Sequence, residues 1–263
     1  MDFLYFILLG IVAGVLSGMF GIGGGIVMVP SLIVIFGMDI LDANAVSLTA
    51  MLLPVGVFGV ISYYKAGMLN IRESLAVALG LFIGSFAGGE IAVNINENVL
   101  AKLYALILIY IALSYFDIFA LLKKKKKSVA GQNSELSKTV KSGGAFWAFV
   151  LVGVGAGIFA GLFGKGGGIV IVPLLIGIFH YDTKTAVATS LAALQLPVGL
   201  PSIIIYANDG HLNLYAAAFI ALGMIVGTLF GSRMGIKLPS KMFKKVYALF
   251  LVAVAIFMVY KYL

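Results

Sequence analysis

The sequence predicts an all-α, polytopic membrane protein built from two inverted structural repeats. Three observations lead to this prediction. Of the 263 residues 62% are hydrophobic, only 11% are charged, and a shift of 143 positions, which carries Gly21 onto Gly164, overlays the chain on itself. A soluble domain carries about a quarter charged residues, so this composition does not suit a surface that faces water.

The apolar residues fall into blocks of the length that a membrane-spanning helix requires. Such a helix needs about 20 residues, and blocks near that length lie at 3–20, 45–64, 74–93, 103–122 and 246–260. The N-terminus lacks the basic region of a cleavable signal peptide, so we expect the first block to stay in the mature protein.

A polar, lysine-rich segment separates the two repeats. We predict an N-terminal transmembrane repeat at 1–122, a cytoplasmic linker at 123–143 and a C-terminal transmembrane repeat at 144–263. The net charge of +8 would also suit a nucleic-acid partner. However, lysines of membrane proteins gather in cytoplasmic loops. The lysine run at 123–127 therefore indicates membrane orientation or a contact with lipid headgroups, and no nucleic-acid partner is expected.

Each predicted repeat is a glycine-broken helical hairpin followed by three transmembrane helices. In the first repeat the hairpin is 3–37, broken by Gly-Ile-Gly-Gly-Gly, and the helices lie at about 44–65, 74–93 and 100–122. If 3–37 crossed the membrane once, the repeats would be parallel. If the chain turns back at the glycines, the repeats are inverted.

The distribution of charge favours the hairpin. With the linker inside, the hairpin places the cations at 65, 72, 184 and 233–245 on the cytoplasmic side, as the positive-inside bias requires. A single crossing places the cluster at 233–245 outside. We therefore predict inverted repeats, with both termini outside the cell.

The two glycine runs are the predicted substrate-binding elements. Irregular backbone at membrane depth persists only where it is buried in protein or lines a water-filled cavity. A helix that begins after such a run presents free N–H groups and the positive end of its dipole, which together attract anions. The predicted site therefore includes Gly23, Gly24, Gly25, Gly166, Gly167 and Gly168. Gly80, Gly84 and Gly88 recur at every fourth position and predict close helix packing instead.

Polar side chains complete the predicted site. Lys165 stands where the first repeat has Ile22, and its charge would compensate that of an anion, unless its ammonium reaches the membrane surface. Ser47 and Ser190 are equivalent under the repeat and offer hydroxyl donors, although such hydroxyls also bond within their own helix. Gln195 is costly to bury, which favours a role in a site or a pore.

The doubled motif G-x-x-x-G-x-F-G-x-G-G-G-x-x-x-x-P-x-L resembles that of the TauE/SafE family of membrane permeases. It begins at Gly14 and ends at Leu32 in the first repeat, and it recurs from Gly157 to Leu175 in the second. The resemblance implies an anion permease of the cytoplasmic membrane. Members of the family are associated with sulfite and small organosulfur anions, so the implied substrate is sulfite or a related organosulfur or sulfur oxyanion.

The favoured function is a secondary transporter that works by alternating access, driven by a proton or another ion. A passive anion channel and a non-transport membrane scaffold remain alternatives. An enzyme is disfavoured, because the chain has no cysteine and because His180 and His211 lie in predicted loops without a metalloprotease spacing. No catalytic residue, metal site or cofactor is predicted. The expected partners are a small anionic substrate, the lipid bilayer and a coupling proton or ion.

Overall fold

A computed structural model describes residues 2–100, 102, 103, 106, 145–164 and 167–238. The predicted linker, nearly all of the predicted helix at 100–122, the apolar block at 246–260, Lys165 and Gly166 lie outside these residues. All the regular structure within them is α-helix: α1 (Asp2–Phe20), α2 (Gly25–Ile35), α3 (Ile40–Leu52), α4 (Val57–Lys65), α5 (Ile71–Asn94), α6 (Phe146–Phe163), α7 (Gly168–Gly177), α8 (Thr183–Ala193), α9 (Leu200–Asn208) and α10 (Leu214–Lys237).

The order of helices repeats, because α1 to α5 correspond to α6 to α10 under the 143-residue shift. Four of these helices, α1, α5, α6 and α10, are long and apolar enough to cross a membrane. The pair α3–α4 would make a fifth span if its two bent parts act as one. The prediction of an all-α protein with several membrane spans is confirmed over the part of the chain that the structure describes.

Each glycine run breaks the backbone as predicted. The first helix of the first half ends at Phe20, and Gly21, Gly23 and Gly24 then adopt positive φ angles of 66°, 80° and 75°. In the second half Gly164 and Gly167 adopt φ angles of 65° and 73°. Residues other than glycine rarely adopt positive φ angles, which explains why a glycine directly follows the last residue of both α1 and α6. The short helices α2 and α7 begin directly after the breaks.

The predicted transmembrane helix at about 44–65 is divided in the structure. It consists of α3 and α4, which meet at an angle of 52° and are together long and apolar enough for one bent span. Pro54 lies between them and has no N–H group with which to continue the helix. The second half is divided in the same way between α8 and α9, where Pro197 lies.

The long helices pack in pairs that join the two halves. A stripe of glycines on α5 lies against α6, and a methyl group on Gly84 would come within 2.1 Å of Val154 O. The equivalent stripe on α10 lies against α1, where a methyl group on Gly227 would come within 2.2 Å of Ile11 O. Close helix packing at Gly80, Gly84 and Gly88 is therefore confirmed, and each long pair takes one helix from each half.

Candidate functional site

The two glycine breaks contact each other in the interior of the described structure. A methyl group on Gly168, the first residue of α7, would lie 2.3 Å from Gly21 O and 2.7 Å from the Cα of Ile22. The backbone that opens α7 therefore touches the break of the other half. Residues 21–26 are buried throughout, as are Gly164, Gly167 and Gly168. Neither α2 nor α7 has a side chain capping its N-terminus.

A serine from each half bonds to the glycine break of the other half. Ser47 Oγ donates to Gly164 O at 2.7 Å, and Ser190 Oγ donates to Gly21 O, also at 2.7 Å. Both serines are fully buried. The two bonds are equivalent under the repeat, and each satisfies a carbonyl at a helix end that lies away from water. A donor role of these hydroxyls toward a substrate stays a prediction, and it requires these bonds to open.

A second pair of hydroxyls binds the breaks between α3 and α4 and between α8 and α9. Ser85 Oγ donates to Val198 O at 2.7 Å, and Thr228 Oγ1 donates to Val55 O at 2.8 Å. These two bonds are also equivalent under the repeat. Ser85 and Thr228 are not among the site residues predicted from the sequence. They could have been predicted, because both are hydroxyl residues at equivalent positions in apolar spans. Such a hydroxyl can donate to a backbone carbonyl that a broken helix leaves without a partner.

Gln195 lies at the break between α3 and α4. Its Oε1 accepts the N–H of Gly56 at 2.7 Å, and its Nε2 donates to Leu191 O at 3.1 Å. A methyl group on Gly56 would come within 2.5 Å of Gln195 Nε2, so glycine leaves the space that the amide fills. The equivalent of Gln195 in the first half is Leu52, so the first half has no counterpart of this amide.

The glycine break of the second half is the more polar of the two. Asn44 lies against Gly164, and its Nδ2 donates to Leu162 O at 3.0 Å. Asn44 Oδ1 is buried and accepts no hydrogen bond from the residues that the structure describes. The equivalent contact of the first half is apolar, because Val187 lies against Gly21. Lys165 follows Gly164 in the sequence, so this break has Asn44 and Lys165 where the first break has Val187 and Ile22.

The structure thus brings several predicted site residues together and leaves others apart or undescribed. Ser47, Ser190 and Gly168 lie at the two glycine breaks, whereas Gln195 lies at the α3–α4 break. Lys165 and Gly166 lie outside the described residues. Within the described ranges no three His, Cys, Asp or Glu side chains form a group that could hold a metal ion.

Comparisons with known proteins agree with the membrane architecture. The family model described as "Sulfite exporter TauE/SafE" matches residues 6–258. The chain is 31% identical to a probable membrane transporter protein of Methanocaldococcus jannaschii, over 91% of this chain and 87% of that relative. It is 28% identical to the probable membrane transporter protein YunE of Bacillus subtilis, over 92% of this chain and 90% of YunE. A probable membrane transporter protein of Haemophilus influenzae is 27% identical over 97% of both chains. No solved structure matches at a significant level.

Proposed function

The chain belongs to the sulfite exporter TauE/SafE family, a family of membrane transporters, and from this premise we propose that it is a secondary transporter of a small anion. The anion is sulfite or a related organosulfur or sulfur oxyanion, and the protein moves it across the cytoplasmic membrane by alternating access. The observation that carries this proposal is the contact between two glycine breaks, each followed by a helix with no side-chain cap at its N-terminus.

We propose that the two halves, 1–122 and 144–263, are inverted with respect to each other. Contacts of the segment 181–184 support this arrangement. Lys184 Nζ donates to Ile236 O, at the C-terminal end of α10, at 2.6 Å. Tyr181 Oη donates to the carboxyl of Glu73, at the N-terminal end of α5. The start of α5 and the end of α10 therefore lie beside one short segment, as expected if these two equivalent helices run in opposite directions.

The charges at the two ends of the protein support an orientation in the membrane. The end that holds the start of α5 and the end of α10 carries the cations Lys65, Arg72, Lys184, Arg233 and Lys237, against the acids Glu73 and Asp182. The opposite end carries the acids Asp39, Asp42, Glu90, Glu97 and Asp209, against the cation Lys102. Cytoplasmic segments are rich in Lys and Arg, so the first of these ends faces the cytoplasm in our proposal. We propose that the linker with the lysine run at 123–127 is on the cytoplasmic side as well.

The proposed site is formed by the N-terminal ends of α2 and α7. Their N–H groups and dipoles attract an anion, as broken helices do in other secondary transporters. The backbone of Gly23, Gly24, Gly25, Gly166, Gly167 and Gly168 contributes these groups. Lys165 adds a positive charge at the more polar break. Asn44, Ser47 and Ser190 hold the breaks in position, and Gln195 supports the neighbouring α3–α4 break.

The burial of the breaks supports a carrier over a passive channel. An open pore would leave its lining in contact with water, whereas residues 21–26 are buried. The long helices also suggest which bodies move. Because α1 packs on α10 and α5 packs on α6, we propose that these two pairs rock against each other, rather than 1–122 against 144–263. A substrate would then meet the breaks from one side of the membrane at a time.

Flux in liposomes tests the proposal. We would measure the uptake of radiolabelled sulfite by reconstituted protein, with sulfoacetate and thiosulfate as competitors. Counterflow is expected of a carrier, whereas a passive channel, whose flux can also saturate because ions bind within it, shows none. No flux of any of these anions would refute the proposed substrate class.

Two variants and one control test the site. Lys165→Ile copies Ile22 of the first half, and we expect it to lower sulfite uptake about tenfold, which corresponds to about 1.4 kcal/mol of lost attraction. Gly167→Ala strains a backbone with φ of 73° and should also lower uptake. Gly37→Ala is the matched control, since Gly37 has a φ of 68° but lies away from the breaks with open space around it. Unchanged uptake in both site variants would refute the site.

A further inference from the structure

A histidine and two carboxylates lie together where the first half of the chain meets the second, at the acidic end of the protein. Asp42 lies in the first turn of α3, and His211 lies in the connection between α9 and α10. His211 Nδ1 is 2.7 Å from Asp42 Oδ1, and His211 Nε2 is 3.5 Å from Asp209 Oδ2. The anion site proposed above does not use these three side chains, which we call the histidine cluster.

The fold of this connection does not require the charges. The equivalents of the three residues under the 143-residue shift are all uncharged: Thr185, Ala66 and Met68. The backbone turn is nevertheless the same. The N–H of Met68 donates to Tyr63 O at 3.1 Å, as the N–H of His211 donates to Tyr206 O at 2.9 Å, and a glycine with positive φ precedes each donor. The histidine cluster is therefore an addition to a turn that the other half forms without it.

Both ring nitrogens of His211 lie within 4 Å of a carboxylate oxygen. A neutral imidazole has one N–H and can donate to one carboxylate only, so the lone pair of its other nitrogen then points toward a negative charge. A protonated ring carries an N–H on each nitrogen and attracts both carboxylates, and hydrogen bonds between two charged groups are the stronger ones. The geometry therefore suits the protonated ring.

Few other charges act on the histidine cluster. The other described charged side chains of this end form no ion pair with its three members: Asp39, Glu90, Glu97 and Lys102. Helix α3 contributes no charged residue besides Asp42, and α9 and α10 contribute none before Arg233, near the opposite end. The three members are partly exposed, so protons from the water on this side reach the ring.

The histidine cluster connects the two bodies that move in the proposed function. Helix α3 is bonded to the C-terminal end of α6 through Asn44 and to the adjoining glycine break through Ser47. His211 lies three residues before Leu214, the first residue of α10, which packs on α1. The contact between Asp42 and His211 therefore runs from a helix held on the α5–α6 pair to the start of the α1–α10 pair.

We propose that the histidine cluster is a proton-binding site that closes the outer entrance of the transporter. This inference rests on the proposed function and adds its regulation. A proton from outside converts His211 into a cation, which then holds Asp42 of the first half and Asp209 of the second. Proton binding and closure favour each other, so acid outside keeps the entrance closed, and loss of the proton releases it. Histidine is the side chain that ordinarily changes its charge between about pH 5 and pH 8.

A distance measured between spin labels tests the site without any substrate. The chain has no cysteine, so labels on Asp39→Cys and Leu212→Cys, two exposed positions beside the cluster, report on its two sides alone. In nanodiscs we expect the population with the short distance to rise about threefold from about pH 8 to about pH 5, the scale of a partly exposed ion pair. His211→Met copies Met68 and should make the distance independent of pH.

The other histidine of the chain provides the matched control. His180→Asn should keep the pH dependence, because His180 is exposed and asparagine tolerates its φ of 56°. Asp42→Asn keeps the size of the side chain but removes its charge, and it should abolish the pH dependence as His211→Met does. A distance that does not respond to pH in the labelled protein, or a response that survives in either variant of the cluster, would overturn the inference.

Flux separates this inference from the proposed substrate. We would use liposomes that hold the protein with its acidic end outward and keep the internal pH constant. Acid outside should lower the entry of sulfite about threefold more in the unaltered protein than in His211→Met, and comparison at each pH removes the effect of pH on sulfite itself. Equal responses would overturn the inference. If neither protein moves sulfite but the distance responds to pH, the proposed substrate fails while the proton site stands.

Discussion

Ser47 Oγ donates a hydrogen bond of 2.7 Å to Gly164 O, and this bond runs from the first half of the chain into the glycine break of the second. The equivalent bond runs the opposite way, from Ser190 to Gly21. Each break is thus held by the other half. A displacement of α3 or α8 therefore acts directly on the C-terminal end of α6 or α1 in the other half.

Removing either hydroxyl should destabilise the protein. In Ser47→Ala or Ser190→Ala a buried carbonyl loses its donor, which costs about 1–3 kcal/mol. We expect both variants to lower the unfolding temperature in detergent. The control is Ser62→Ala, whose hydroxyl bonds to Phe58 O within its own helix. Equal unfolding temperatures for all three variants would contradict the importance of the exchanged bonds.

The packing of α5 on α6 should not tolerate a side chain on its glycine stripe. A methyl group at Gly84 would meet Val154 O at 2.1 Å, so Gly84→Ala forces the two helices apart, and overpacking of this kind costs about 1–3 kcal/mol. Gly155→Ala is the matched control, since Gly155 lies on α6 with nothing within 4 Å of the added methyl group. The measurement is thermal stability in detergent. A loss in Gly155→Ala as large as that in Gly84→Ala would contradict the prediction.

Gln195 should stabilise the protein through its side-chain oxygen. Gln195→Leu copies Leu52 of the first half but leaves the buried N–H of Gly56 without its acceptor, which costs about 1–3 kcal/mol. Gln195→Glu keeps an acceptor, so its stability should stay closer to that of the unaltered protein. Its negative charge should nevertheless reduce uptake of an anion such as sulfite. Thermal stability and liposome flux, measured on both variants, separate these effects. The prediction fails if Gln195→Leu is the more stable of the two.

The tyrosine beside Glu73 predicts a loss of stability at alkaline pH. The pKa of Tyr181 is raised in the folded protein, whereas an unfolded tyrosine titrates near pH ~10. Its contribution is therefore fully present below pH ~10 and is lost as the pH rises toward the folded value. We expect the unaltered protein to lose stability relative to Tyr181→Phe above that pH. The unfolding temperatures of the two proteins at several alkaline pH values provide the measurement. A constant difference between them would contradict the assignment.

The breaks at the glycines could be predicted from the sequence, because Gly21 and Gly164 stand at matched positions in apolar runs. The packing role of Gly84 followed from the four-residue spacing of its neighbours. The division of the second span could not be read from hydropathy, because both sides of Pro54 are equally apolar. A proline there is compatible with a kinked continuous helix as well as with a break.

The hydrogen-bond partners of the polar residues could not be predicted from the sequence either. The spacing of apolar residues shows which face of a helix is buried but not which helix covers it. The acceptor of Ser47 lies 117 positions away in the other half. For the same reason the contacts of Asn44 and Glu73 could be assigned only after α6 and the segment 181–184 were placed beside them.

The pairing of α1 with α10 means that α1 is synthesised long before the helix against which it packs. The first helix leaves the ribosome and enters the lipid well before α10, which begins at Leu214, has been made. Until then its glycine face meets lipid chains or a chaperone, while α5 finds α6 earlier. A nascent chain that stops short of Leu214 therefore leaves the glycine face of α1 without the helix that covers it in the folded protein.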